Sequence, residues 1–174
     1  DMMADADLQH QLLAAVDLCA QSLSAGQKLL FAGNGGSAAE AQHFSAEMVG
    51  RFLKERQPLP SIALNTGTSA LTAIGNDYGY EHVFARQGEA RGQPGDVLIA
   101  MSTSGRSKNL VLAMQAAREK NVKTIALTGS HPRDMGELAD IVLKVPSSHT
   151  PQIQEGHLVL GHLLCGMVEQ RLLP

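Results

Sequence analysis

Apolar positions along the chain fall into two kinds of run. Leu8, Leu12, Ala15, Leu18 and Leu23 recur near helical spacing and Gly26 follows them, which predicts an amphipathic helix over about 7–25. Shorter continuous runs predict strands at about 28–32, at Ser61-Ile62-Ala63-Leu64, at Val97–Met101, at Val122–Leu127 and at Ile141–Val145. Apolar runs of this length without alternation suit parallel strands buried on both faces. Helical stretches are predicted between them: from the first glycine turn to about 52, over about 107–120 and over about 152–171. Residues 67–92 predict one or two short helices with a loop at Gly75-Asn76-Asp77-Tyr78-Gly79. Alternation of strand and helix predicts an α/β fold, an open and mainly parallel sheet flanked by helices on both faces. In such sheets ligands sit outside the carboxyl ends of the strands. A length of 174 residues predicts a single domain over 1–174, the helix at about 7–25 being its N-terminal element.

Two strand-to-helix turns carry the candidate chemistry. Gly33-Asn34-Gly35-Gly36-Ser37 follows the first strand, and its backbone amides at a helix start form a cradle for an anion. Ser102-Thr103-Ser104-Gly105-Arg106-Ser107 follows the third strand and offers four hydroxyls, more than a helix cap needs, again suited to phosphate oxygens. The glycine turn fits neither a P-loop, having no Gly-Lys-Ser/Thr ending, nor the spaced dinucleotide fingerprint. One turn into the following helix, His43 and Glu47 share a face as i and i+4 residues do. They are open to three readings: metal ligands, an acid/base pair or a surface pair. The last helix carries Gln154, Glu155, His157 and His162 among leucines and valines, and imidazole, carboxylate and amide oxygen are all acceptable to zinc or a similar divalent ion. His131 and His149 read as exposed loop positions.

Composition narrows the partners. A formal charge of −3 argues against general binding to nucleic acid or an anionic membrane, and aromatics at 3% offer no base-stacking platform. No run reaches the length of a membrane span, and no basic segment leads into an apolar run at the N-terminus, so the expected compartment is the cytoplasm. The chain opens on Asp1-Met2-Met3, where a few natural N-terminal residues are expected to be lost or altered. Cys19 and Cys165 have no CxxC spacing and are expected to be buried free thiols.

Taken in order, Gly33–Ser37, Gln42-His43-Phe44, Gly75-Asn76-Asp77-Tyr78, Ser102-Thr103-Ser104-Gly105-x-Ser107 and Ile153-Gln154-Glu155-x-His157 resemble the sugar isomerase (SIS) domain. Within it they resemble the phosphoheptose isomerase branch, from about residue 28 to the C-terminus. The resemblance implies a flavodoxin-like αβα sandwich that converts sedoheptulose 7-phosphate to D-glycero-D-manno-heptose 7-phosphate, the first committed step toward the heptose of bacterial lipopolysaccharide. It also implies a cytoplasmic homotetramer with active sites at subunit interfaces and one zinc ion per subunit, held by His43, Glu47, Gln154 and His162. Substrate contacts carried over by position are Asn34, Gly35, Gly36, Ser37, Glu47, Arg51, Asn76, Asp77, Ser102, Thr103, Ser104, Ser107 and Gln154. Glu47 is the expected base and His162 the expected acid of an aldose–ketose isomerisation through an enediol(ate).

Eight residues separate Gln154 from His162, a rise of about 12 Å on a straight helix. A helix starting after Gln154, or a ligand from a neighbouring subunit, would bring the two to one ion. Some family members carry an acidic residue and an arginine where this chain has Pro151 and Gln152, so no role is carried over there. The rival readings are a non-catalytic SIS adaptor of the DnaA initiator-associating type and a phosphosugar-binding regulatory module. Asn65-Thr66 and Ala41–Phe44 fit the adaptor, whereas Glu47 and His162 favour the enzyme.

Overall fold

The computed structural model describes residues 2–173. Its centre is a five-stranded sheet of β1 (Leu29–Gly33), β2 (Ser61–Ala63), β3 (Val97–Ser102), β4 (Lys123–Thr128) and β5 (Ile141–Lys144), in the order β2-β1-β3-β4-β5. All four strand pairings are parallel. Side chains alternate between two cores, as the pleat demands. Leu29, Phe31, Val97, Ile99, Met101, Ile125 and Leu127 point to one, and Leu30, Ala32, Leu98, Ala100 and Ala126 to the other.

The first core is roofed by α1 (Ala6–Ser24), α2 (Gly36–Val49) and α7 (Thr150–Leu172). Asp5 caps α1, accepting hydrogen bonds from the amides of Asp7 and Leu8. On the other face lie α3 (Thr68–Tyr78), α4 (Ala85–Arg91), α5 (Lys108–Glu119) and the short α6 (Arg133–Leu138).

Four boundaries depart from the sequence reading. Residues 75–78 of the predicted loop are instead the last turn of α3, which ends at Gly79 (φ +93°) and is held by Leu71 and Ile74 against the second core and by Arg86 over the Tyr78 ring at 3.9 Å. A 3-10 turn over Tyr80–His82 follows it. The helix carrying His43 and Glu47 ends at Val49, three residues early, because Gly50 leaves helical geometry (φ −79°, ψ −101°). The final helix begins at Thr150 with Pro151 in its first turn, where proline costs no hydrogen bond. One continuous helix therefore carries both Gln154 and His162, and a later helix start does not bring them together. The short α6 was not predicted.

Cys19 and Cys165 are buried and unpaired, and burial raises both thiol pKa values, that of Cys19 to about 12.

Helices α2 and α7 run in the same direction, in contact along a single seam. A Cβ on Gly36 would collide with the Gln154 amide, and one on Gly161 would enter the Phe44 ring, itself only 1% exposed. Gly161→Ala is accordingly expected to destabilise the fold by about 2 kcal/mol through overpacking, even after the helix propensity gained. The check is a lower urea midpoint at unchanged slope.

Candidate active site at the β1–β3 switch point

Chain order reverses between β1 and β3, since the strand after β1 pairs on its far side, and such a switch point opens a crevice at the carboxyl ends. Register places Gly33 beside Met101 there, so the glycine and serine turns leave the sheet side by side. Gly35 has φ +57°, a conformation open to glycine and costly for other residues. Asn34 and the buried Asn109 of α5 exchange amide hydrogen bonds at 2.9 and 3.0 Å, and the Tyr80 hydroxyl donates to Asn34 Oδ1 at 3.1 Å. The side chain of Asn34 thus ties the two turns together. Asn65, which the sequence reading noted only for the adaptor resemblance, donates to the Gly33 carbonyl at 2.6 Å.

The serine turn folds inward. Ser102 Oγ lies 2.8 Å from Ser107 Oγ and 3.3 Å from Ser104 Oγ, and it accepts from the Gly105 amide at 3.2 Å. Ser107 occupies the N-cap of α5, yet its hydroxyl makes no capping bond. The alternative that these hydroxyls merely cap a helix therefore fails for Ser107. A cavity of about 140 Å³ opens beside the turn. Thr103, Ser104, Arg106, Ser130, His131 and Arg133 line it together with Ser147 and Ser148, and no carboxylate is among them.

Across the seam, His43, Glu47 and His162 come together, each offering a ligand atom within 4.8 Å of the others. His43 Nε2 is 2.9 Å from His162 Nε2 and 3.5 Å from Glu47 Oε1. A short contact between two ring nitrogens requires one to carry a proton and the other a lone pair. Two imidazoles and a carboxylate converging in this way form a donor set that suits a divalent transition-type cation. The Phe52 ring stacks on His162, with centroids 5.4 Å apart and planes at 11°.

Other sequence-predicted residues lie elsewhere. Arg51, beyond the end of α2, faces Glu55 at 3.6 Å on the surface. Asn76 and Asp77 are exposed at the end of α3, bonded to each other at 2.7 Å. Gln154 packs on Gly36 of the glycine turn. One turn further along α7, His157 is fully buried with Nδ1 3.8 Å from Glu40 Oε2, and neither of its ring nitrogens is hydrogen-bonded among the described residues. His131 and His149 are exposed, as expected, and Gln152 accepts from the Ser147 hydroxyl at 2.7 Å.

Sequence reasoning also missed an ion pair at the far end of the seam, between Arg56 and Glu169, both 1% exposed and 2.8 Å apart. Glu169 accepts from the amides of Phe52, Leu53 and Lys54. Burial works to raise its pKa, but these three bonds and Arg56 outweigh it and hold the carboxyl below its usual range.

A five-stranded parallel sheet with two anion-ready turns at its switch point is the architecture of sugar-isomerase domains, and the SIS domain profile matches residues 3–129. The chain is 55% identical to the phosphoheptose isomerase of Rhodospirillum rubrum over 95% of its own length and 88% of the relative's. The phosphoheptose isomerase structure from Neisseria gonorrhoeae superposes with a TM-score of 0.88 at 45% identity, covering 92% of this chain and 86% of that one. The Francisella tularensis phosphoheptose isomerase does so with a TM-score of 0.89 at 38% identity and the same coverage. The chain belongs to the phosphoheptose isomerase family.

Proposed function

We propose that the protein interconverts sedoheptulose 7-phosphate and D-glycero-D-manno-heptose 7-phosphate as an aldose–ketose isomerase. The observation that carries this reading is the meeting of Glu47 with His162 across the α2–α7 seam, beside two turns suited to a phosphate. Ser37, the amides of Gly35 and Gly36, and the hydroxyls of Ser102, Thr103, Ser104 and Ser107 would hold the phosphosugar. Asn34 and Gln154 would shape the same pocket from either side.

In this reading the Glu47 carboxylate removes the proton from the carbon beside the carbonyl. His162 serves as the acid that returns one to the neighbouring carbon. His43, Glu47 and His162, with Gln154 of a neighbouring subunit as fourth donor, would hold a zinc ion, whose Lewis acidity would favour the developing enediolate charge. Arg51, Asn76 and Asp77 lie on the surface of one chain, and in a homotetramer with sites at subunit interfaces they would serve a neighbouring site. The exposed apolar side chains of Val49, Leu53, Leu158 and Val159 support such an assembly. Among the described residues no helix is long and apolar enough to cross a membrane. A cytoplasmic role early in the synthesis of lipopolysaccharide heptose completes the proposal.

Incubation with sedoheptulose 7-phosphate, with added zinc or with chelator, is expected to yield the aldose only when metal is present. Absence of product from folded, metal-loaded protein would sink the isomerase reading. Ser104→Ala is expected to raise KM about tenfold, the loss of one hydrogen bond to a charged group, with kcat nearly unchanged in steady-state assays.

A further inference from the structure

Behind the reacting pair lies a clamp. Glu169 follows His162 by two helical turns on α7 and so shares its face. Its two oxygens accept from three consecutive amides, those of Phe52, Leu53 and Lys54, at 2.8–3.1 Å. Arg56 pairs with it and turns its guanidinium onto the end of α2. Nη2 donates to the Glu47 carbonyl at 2.7 Å and Nη1 to the Met48 carbonyl at 2.8 Å. Between these anchors, Phe52 lies flat on the His162 ring while Phe44 meets that ring edge-on at 6.0 Å.

We propose that Phe52, Arg56 and Glu169 are positioning residues, which fix the plane of the His162 imidazole and the backbone of Glu47 in one rigid frame. The proposal rests on the isomerase reading for its kinetic consequence, but its geometry stands apart from it. An apolar tie could not satisfy the amides of 52–54 and the carbonyls of 47 and 48 together. The bonded groups belong to the segment that follows Glu47 and to the helix that carries His162.

Two variants separate the roles. Phe52→Leu keeps every amide bond to Glu169 and removes the flat ring. Arg56→Lys keeps the charge and loses the bridge across the carbonyls. Each is expected to lower kcat about tenfold with KM within about twofold, because the end of the substrate that is bound lies elsewhere while the proton-transfer geometry loosens. In metal-free protein, NMR should show the His162 ring protons moving in Arg56→Lys, which keeps the Phe52 ring and its ring current.

A merely structural clamp would lower thermal stability, yet leave kcat at its wild-type value in both variants and the His162 resonances unmoved in Arg56→Lys wherever the variants are fully folded. That outcome overturns the proposal, as does a parallel change in kcat and KM. If Arg56→Lys does not fold, Phe52→Leu carries the test. If the wild type does not turn over sedoheptulose 7-phosphate, the isomerase reading falls, and the metal-free His162 resonances of Arg56→Lys still decide the clamp.

Discussion

Glu47→Gln should give a folded protein whose kcat on sedoheptulose 7-phosphate has fallen about a thousandfold, within the span that general acid–base groups contribute. The substitution preserves shape and leaves the α2–α7 seam in place, because the close contacts of Gly36 with Gln154 and of Phe44 with Gly161 do not involve Glu47. What is lost is an oxygen able to accept a proton near neutral pH. KM should change far less, since the phosphate-binding turns are untouched. His162→Gln should cost a similar factor, and the double variant little more than either single one, because groups that act as a unit are not additive. Steady-state kinetics with circular dichroism as the control for folding provide the check. A Glu47→Gln enzyme retaining more than about a tenth of wild-type kcat would remove Glu47 from the role of base.

The largest effect on stability is expected at the opposite end of the seam. Glu169→Ala strands the buried Arg56 guanidinium and leaves three amides without their acceptor, and breaking such a pair from one side costs about 3–5 kcal/mol. For a domain whose whole stability is about 5–15 kcal/mol, that loss is visible in any urea titration. The pH dependence has a definite sign. The Glu169 carboxyl is held below its ordinary value of 4.5, so its contribution is complete above that value and is lost as pH falls through the lower folded one. Wild-type stability should therefore decline on acidification below about pH 4.5, and Glu169→Gln should show a shallower decline over the same range. Equal slopes in the two proteins would show that Glu169 is not the group responsible.

The strands were legible because a parallel sheet buried on both faces needs uninterrupted apolar runs, and Leu29–Ala32 and Val97–Met101 are such runs. The two ligand turns were legible for a related reason, since glycine and serine crowd where a strand must turn sharply into a helix. Gly75–Tyr78 was misread because its residues favour turns locally, while Leu71, Ile74 and the contact of Arg86 with Tyr78 decide the matter from outside the segment. The conjunction of His43, Glu47 and His162 could be inferred by resemblance, although no spacing within one helix announces it. Arg56 and Glu169 lie 113 positions apart. Neither stood out in the sequence, since Glu169 is followed by Gln170 and Arg171 and reads as part of a polar helix end. The helix start expected after Gln154 falls instead at Thr150, because proline at the second position of α7 is compatible with helix, so Gln154 and His162 stay on one continuous helix.

The seam between α2 and α7 has a consequence for how this chain can vary in length. Gly36, Glu40 and Phe44 meet Gln154, His157 and Gly161 at intervals of one helical turn on both sides. One residue inserted into either helix rotates everything beyond it by about 100°. An insertion between His157 and His162 would turn the imidazole away from His43 and carry Glu169 away from the amides it binds, whatever the inserted residue was. The stretch over 57–60, between the clamp and β2, lies outside this constraint and can lengthen at small entropic cost. Insertions and deletions among natural variants should therefore collect there and be absent from 36–47 and 154–169, a pattern set by helical phase rather than by side-chain chemistry.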